Sequence, residues 1–314
     1  MSQPGTREVE HEITVLAPAE AVYQVIADVA HWPQIFPPTV HVEYLERGDE
    51  QELIQIWATA NGEAKTWTSR RVLNPTALRI RFRQQVSQPP VAAMGGTWVI
   101  EPISEGESLV RLQHDYRAVD DDPTKLEWID MAVDRNSRAE LAALKTNAEL
   151  ATRAPELLLT FDDIVQINGS AKDVYDFINE AQRWPERLPH VARVSLREDT
   201  PGLQILDMDT RTKDGSVHTT KSVRVAFPHT KIFYKQIQTP ALMTLHTGHW
   251  LLAEKPGGVT ATSQHTVAVN EANIAKILGD QASIEDARTF VRTALSTNSL
   301  TTLEHAKKYA ESQP

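Results

Sequence analysis

The chain of 314 residues has no cysteine, which excludes disulfides, thiol nucleophiles and thiolate metal sites. No window approaches 18 consecutive apolar residues, and the opening MSQPGTREVEHE is polar. Neither a membrane-spanning helix nor a secretory signal core is expected, and a cytoplasmic location fits. A basic excess is also missing. Lys and Arg number 32 against 42 Asp and Glu, giving a formal net charge of -10 and a pI near 5.6. That balance argues against nucleic acid or an anionic membrane as the main partner. There is no GxSxG, no Gly-rich phosphate loop and no HExxH, and the 11 His residues are scattered without ligand spacing. No metal site and no nucleophilic triad is expected.

What is present is a repeat. The segment VEHEITVLAPAEAVYQVIADVAHWPQIFPPTVHVEYLE (9–46) aligns without a gap with FDDIVQINGSAKDVYDFINEAQRWPERLPHVARVSLRE (161–198). Nine of the 38 positions are identical, among them Tyr23/Tyr175, Ile26/Ile178, Trp32/Trp184, Pro33/Pro185 and Pro37/Pro189. The order then holds to the end. TSRRVLNP meets KSVRVAFP, Gly96 and Trp98 meet Gly248 and Trp250, His114 meets His265, and NSRAELAALKTNAE (136–149) meets NSLTTLEHAKKYAE (298–311). The expectation is two copies of one domain, 1–152 and 157–314, joined around ATRAPE.

Each copy shows one element order. Val9–Leu16 alternates as a strand, and Pro18 opens a short helix, where a proline is well placed. The prolines of HWPQIFPP break that helix and start a second short one. Strands are expected near 40–47, 51–59, 63–73, 77–87, 94–104 and 108–117. After DDDP, the positions Leu126, Ile129, Val133, Leu141, Leu144 and Ala148 repeat at helical spacing across about 122–151. The Asp run itself reads as a solvated helix start. An antiparallel sheet of this length curls around the one helix able to cover its concave face. The fold class is therefore α+β, with two tandem domains, each a curved antiparallel sheet wrapped around a long C-terminal helix.

Residues 66–72, TWTSRRV, pose a question. In a strand, Trp67, Ser69 and Arg71 share one face. An inward Arg is costly unless something meets it. The second copy repeats Ser222 and Arg224 but has Thr220 in place of the Trp. Two readings stay open for Arg71: a donor fork for a substrate, or a buried ion pair shared by both copies. On 77–87 the apolar phase is Ile80, Phe82 and Gln84, so Arg79, Arg81 and Arg83 are expected outside. Trp57 and Trp98 lie on strands in a phase compatible with a pocket, and Trp32 and Phe36 lie at the break between the short helices.

The element order resembles the START-like helix-grip fold. The duplicated arrangement, with HWPQIFPP, WATANG, TWTSRR, VSQPP and MGGTW, is similar to the didomain aromatase/cyclases of bacterial type II polyketide synthases. The resemblance spans essentially the whole chain. It implies an enzyme acting on a linear poly-β-ketone carried by an acyl carrier protein, alongside a minimal polyketide synthase and a ketoreductase. It implies first-ring aldol closure, with carbon 7 joined to carbon 12, and then dehydration to an aromatic ring, without a cofactor. Such chemistry needs an apolar pocket that bends the chain and fixed donors for enolate oxygens.

Under that resemblance Arg71, Ser69 and Trp67 are the catalytic candidates. Trp32, Phe36, Trp57, Phe82, Gln84, Met94, Trp98, His114 and Asn136 are the substrate-binding ones. Asn136 rests on the resemblance alone. Ser222, Arg224 and Trp184 are the candidates in the second copy. There Trp67 has become Thr220 and MGGTW has become HTGHW, so the first copy is expected to hold the main pocket. The second is a scaffold, a second pocket for dehydration, or a docking surface. Packing of the two copies as a pseudo-dimer would let the protein be a monomer. A carrier of a hydrophobic metabolite, lipid or quinone, using the same pocket without chemistry, is the alternative.

Overall fold

The computed structural model describes residues 5–60, 62–211 and 215–313. Two compact units divide near Pro155.

In the first unit β1 (Arg7–Val15) leads to α1 (Ala19–Ala27) and α2 (Trp32–Ile35). Six strands follow: β2 (Thr39–Arg47), β3 (Gln51–Ala60), β4 (Glu63–Asn74), β5 (Arg79–Gln84), β6 (Val91–Ser104) and β7 (Glu107–Ala118). The long α3 (Pro123–Arg153) closes the unit. The sheet order is β1-β7-β6-β5-β4-β3-β2, a meander whose first strand returns to pair with the last. The second unit repeats it with β8 (Leu158–Ile167), α4 (Ala171–Asn179), α5 (Trp184–Arg187), β9 (Val191–Thr200), β10 (Leu203–Arg211), β11 (Val217–Phe227), β12 (Lys231–Gln238), β13 (Met243–Lys255) and β14 (Gly258–Val269). It ends with the short α6 (Ile274–Leu278) and the long α7 (Ile284–Glu311). Its sheet order is β8-β14-β13-β12-β11-β10-β9.

Local chemistry sets the boundaries. Asp122 caps α3, its side chain accepting from the amides of Thr124 and Lys125, and Pro123 takes the first helical position. Ser283 and Asp286 form a reciprocal capping box at the start of α7. β5 is shorter than the expected 77–87, because Pro75–Leu78 is a turn with Leu78 at φ 49°. β6 starts three residues earlier than expected, at Val91.

Each long helix lies across its own sheet. In the first unit Val15, Val22, Ile80, Trp98, Ile100, Val110, Leu112, Leu141 and Leu144 form one core cluster. A second cluster, with Tyr116, Ile129 and Val133, lies under the N-terminal half of α3. In the second unit Ile232, Trp250, Leu252, Val259, Ala261, Leu303 and Ala306 do the same work. Among the described residues no helix is long and apolar enough to cross a membrane.

Candidate active site

β4 presents Trp67, Ser69 and Arg71 inward, and their partners are now visible. Arg71 is 1 % exposed. Its Nη1 donates to Glu52 Oε1 at 2.5 Å and to Ala27 O at 3.1 Å, and Nη2 donates to Ile26 O at 2.7 Å. The guanidinium also lies 5.0 Å over the Trp32 ring. Arg71 therefore closes the carbonyl end of α1, where a cation satisfies orphan acceptors and complements the helix dipole. Glu52 on β3 supplies the counter-charge, although burial pushes its carboxyl up. This fork is occupied by protein groups rather than presented to a ligand.

The second unit repeats the device with one change. Arg224 Nη2 donates to Ile178 O at 2.9 Å and the guanidinium lies 5.4 Å over Trp184. Gln204, opposite Arg224 in the ladder, occupies the Glu52 place and donates to Glu198 at 2.7 Å and Asn179 at 3.2 Å. Arg224 Nη1 and Gln204 Oε1 are both buried without a hydrogen-bond partner among the described residues. Without a carboxylate in contact, burial pulls the Arg224 pKa down to about 10. Trp32 and Trp184 serve the same clamp, each donating its indole N–H to a helix-end carbonyl, Ile26 O at 3.1 Å and Phe177 O at 3.3 Å. Both tryptophans are thus explained by helix ends, not by a substrate.

The remaining first-unit candidates divide by face. Trp67 is half-buried against Val29, Val42, Ile54 and Ile56. Ser69 is buried and donates to Arg83 O at 3.3 Å. Phe82 and Gln84 are half-buried on β5 in the expected phase, and Gln84 accepts from Ser87 and reaches Met94 Sδ at 3.9 Å. Phe82 lies across Gly96, its cross-strand partner, where an added Cβ would come within 2.7 Å of the ring. His114 meets the Phe82 ring edge-on at 5.5 Å and Ser137 Oγ at 3.3 Å, and burial holds its pKa down to about 4.

Four further expectations need correction. Trp57 is out of phase with Glu52, Ile54 and Ile56, so it lies on the opposite face of the sheet, stacked on His41 at 5.4 Å. Trp98 is inward but sealed among Phe36, Ile80 and Leu112, in packed core rather than an open pocket wall. Phe36, 5 % exposed, shares that core and meets Trp32 edge-on at 5.5 Å. Asn136 is exposed.

A residue missed from the sequence stands one turn beyond Asn136. On α3 the core stripe is Val133, Ser137, Leu141, Leu144 and Ala148. Lys145 and Glu149, on one side of it, bond to Thr14 O and the Leu16 amide. Asn147, on the other side, donates to Ile35 O at 3.1 Å. Glu140 and Ala143 share the side of Asn147 at spacings of four and three. Glu140 is half-buried, and no hydrogen bond or ion pair engages it among the described residues. Burial raises its pKa to about 7. A lone acid in a helical repeat carries no signal by itself, but the second copy has Thr302 at this place. The expected outward strip holds: Arg79, Arg81 and Arg83 are exposed, and Arg83 pairs with Asp115 at 2.7 Å. A depression of about 870 Å³ on this side is lined by Arg81, Arg83, Thr97, Gln113 and Asp115 among others.

In the second unit the grip holds a polar cluster. Tyr234 Oη lies 2.9 Å from His265 Nδ1 and 3.3 Å from His246 Nε2, and the two imidazoles are 3.0 Å apart. His265 Nε2 faces Ser263 Oγ at 3.2 Å and Asp163 Oδ2 at 3.9 Å, and Ser299 donates to Asp163. Burial keeps both imidazoles neutral, His265 at about 4 and His246 well below its ordinary value. Ser222 is half-buried in the inward phase of β11.

Comparisons with known proteins fit this architecture. Residues 6–149 and 167–291 each match a family described as polyketide cyclase / dehydrase and lipid transport. The chain is 57% identical over 295 residues to the granaticin polyketide synthase bifunctional cyclase/dehydratase of Streptomyces virginiae, covering 94% of this chain and 97% of that one. It is 43% identical over 316 residues to the actinorhodin polyketide synthase bifunctional cyclase/dehydratase of Streptomyces coelicolor, covering 98% of each. Among solved structures, the di-domain ARO/CYC BexL from the BE-7585A biosynthetic pathway superposes with a TM-score of 0.93 at 63% identity, covering 98% of this chain and 100% of that one. With two matching domains and full-length likeness to such enzymes, the chain belongs to the bifunctional cyclase/dehydratases of polyketide synthases.

Proposed function

We propose that this enzyme closes the first ring of a carrier-protein-bound poly-β-ketone by aldol addition, joining carbon 7 to carbon 12 of a ketoreduced chain, and then dehydrates it. The acyl carrier protein, a minimal polyketide synthase and a ketoreductase are its proposed partners, in the cytoplasm. Residues 1–152 and 157–314 are the proposed domains, and the first holds the ring-closing pocket.

One observation carries the reading: among the described residues nothing engages the carboxylate of Glu140, on the Asn147 side of α3, and the sheet of the same unit carries half-buried Trp67, Phe82, Gln84 and Met94. Aromatic and thioether walls bend an apolar chain and exclude water. A carboxylate with a pKa near 7 suits removal of an acidic proton between two carbonyls. The Gln84 amide offers a neutral donor for the enolate oxygen, and Ser69 a small hydroxyl. Arg71 acts as a positioning residue, holding α1 and, through Trp32, the start of α2.

The test is a product profile. A minimal polyketide synthase with a ketoreductase is supplied with wild-type protein, Glu140→Gln or Gln84→Leu, and products are separated by liquid chromatography and mass spectrometry. Wild type should yield the ring-closed aromatic product, and Glu140→Gln should return the profile to spontaneous shunt products. A wild type that binds product-like aromatics but leaves the profile unchanged favours the carrier of hydrophobic metabolites.

A further inference from the structure

The second unit contains groups for proton transfer that the first lacks. Tyr234 faces Gly248 as Phe82 faces Gly96, and His246 precedes its glycine by two residues as Met94 does. Asp163 stands where the aligned first copy has His11, and Ser263 where it has Leu112. At four places, an apolar or basic residue has been exchanged for one that completes a hydrogen-bonded chain.

One arrangement of hydrogens gives the ring N–H groups of His246 and His265 and the phenol of Tyr234 an acceptor each. His246 Nε2–H donates to Tyr234 Oη, Tyr234 O–H to His265 Nδ1, and His265 Nε2–H towards Ser263 and the Asp163 carboxylate. It leaves the lone pair of His246 Nδ1, buried and without a partner among the described residues. Buried polar groups are nearly always satisfied, so a lone pair at the end of this chain calls for a partner that the described residues do not supply. Asp162 and His249 also bear on His265, with opposite signs.

We infer that the second unit is a dehydration site, in which His246 Nδ1 is the base and Tyr234, His265 and Asp163 relay and stabilise the charge it acquires. The inference rests on the cyclase/dehydratase reading above. The substrate class is a cyclic β-hydroxyketone, the product of an aldol closure. His246 Nδ1 takes the proton from the carbon between carbonyl and carbinol. The C–H electron pair forms the enolate and then the new C=C bond, while the C–O bond breaks. The departing hydroxide recovers the proton and leaves as water. Nothing is oxidised or reduced, and the base is regenerated.

The first unit supplies conservative variants. In the full chain, Tyr234→Phe and His246→Met reproduce its own residues in the same fold. Both go into the reconstituted synthase assay, with folding checked by circular dichroism. The expected result is a ring-closed product heavier by one water, with the aromatised fraction reduced about a hundredfold in both variants. Unchanged aromatisation in both overturns the site. A loss in His246→Met alone overturns the relay. A wild type that closes no ring overturns the cyclase reading and this inference together, a result distinct from either. Should a variant not fold, ¹⁵N imidazole spectra of the wild type decide. An unprotonated His246 Nδ1 is expected, and a protonated one overturns the assignment.

Discussion

Nη1 of Arg71 lies 2.5 Å from Oε1 of Glu52, and both side chains are buried. The pair ties the end of α1 to the sheet. Arg71→Ala leaves a buried carboxylate alone and is expected to cost about 3–5 kcal/mol by urea unfolding. Glu52→Gln should cost less, since Gln204 stands opposite Arg224 in the second unit. Arg71→Lys should recover little, because an ammonium lacks the fork that reaches Glu52, Ile26 and Ala27 together. An inactive Arg71→Ala protein of unchanged stability would return the guanidinium to the chemistry.

Trp57 and Trp67 sit on opposite faces of one sheet. Trp67→Ala is expected to change the product distribution by about tenfold, because it removes a wall that orients the chain. Trp57→Ala should leave product ratios alone and cost about 3–5 kcal/mol of stability. Product ratios against melting temperature for the two variants check this.

Glu140 makes a pH-dependent signature. Its folded pKa of about 7 lies above the ordinary 4.5, so the folded state keeps a proton that the unfolded chain releases between those values. That stability is present below pH 4.5 and lost as pH rises through 7. Glu140→Gln should therefore gain stability relative to wild type across this window, while ring closure falls by about a hundredfold or more. Activity lost without the stability gain would point to misfolding instead.

The buried imidazoles act in the opposite sense. His114 and His265 are held down to about 4 from an ordinary 6.5, and His246 is lowered too. The unfolded chain binds their protons first. Their stability is present above pH 6.5 and is lost as pH falls towards 4. Melting temperature should drop over that range, and His114→Phe with His246→Met should flatten the slope. A slope unchanged in the double variant would show that carboxylates dominate.

Gly96 and Gly248 are required by close approach. A Cβ on either would stand 2.0 or 2.1 Å from the neighbouring strand's carbonyl, Gln113 O or Gln264 O. Gly96→Ala must displace Phe82 and part β6 from β7, at an expected cost of about 1–3 kcal/mol. Loss of ring closure should accompany it, and denaturant unfolding measures the cost.

The repeat, the element order and the inward phase of β4 and β5 were legible because each rests on local periodicity. Trp67, Ser69 and Phe82 face where alternation places them. Trp57 was misplaced because β3 is nearly buried on both faces from Ile54 to Ala58, and alternation gives no contrast there. Glu140 was invisible because an acid on a half-polar helix looks solvated until the other elements surround it.

The amino-acid sequence by itself determined two helix-grip folds, since hydrophobic period and proline position act over a few residues. It also showed that Arg71 and Arg224 point inward. Only the tertiary structure decided what they meet. Glu52 is 19 residues from Arg71 and the α1 carbonyls are 44 and 45 away. The Tyr234, His246, His265 and Asp163 cluster draws on four strands. Ion pairing and proton transfer are decided within about 3 Å, a distance that chain order does not encode.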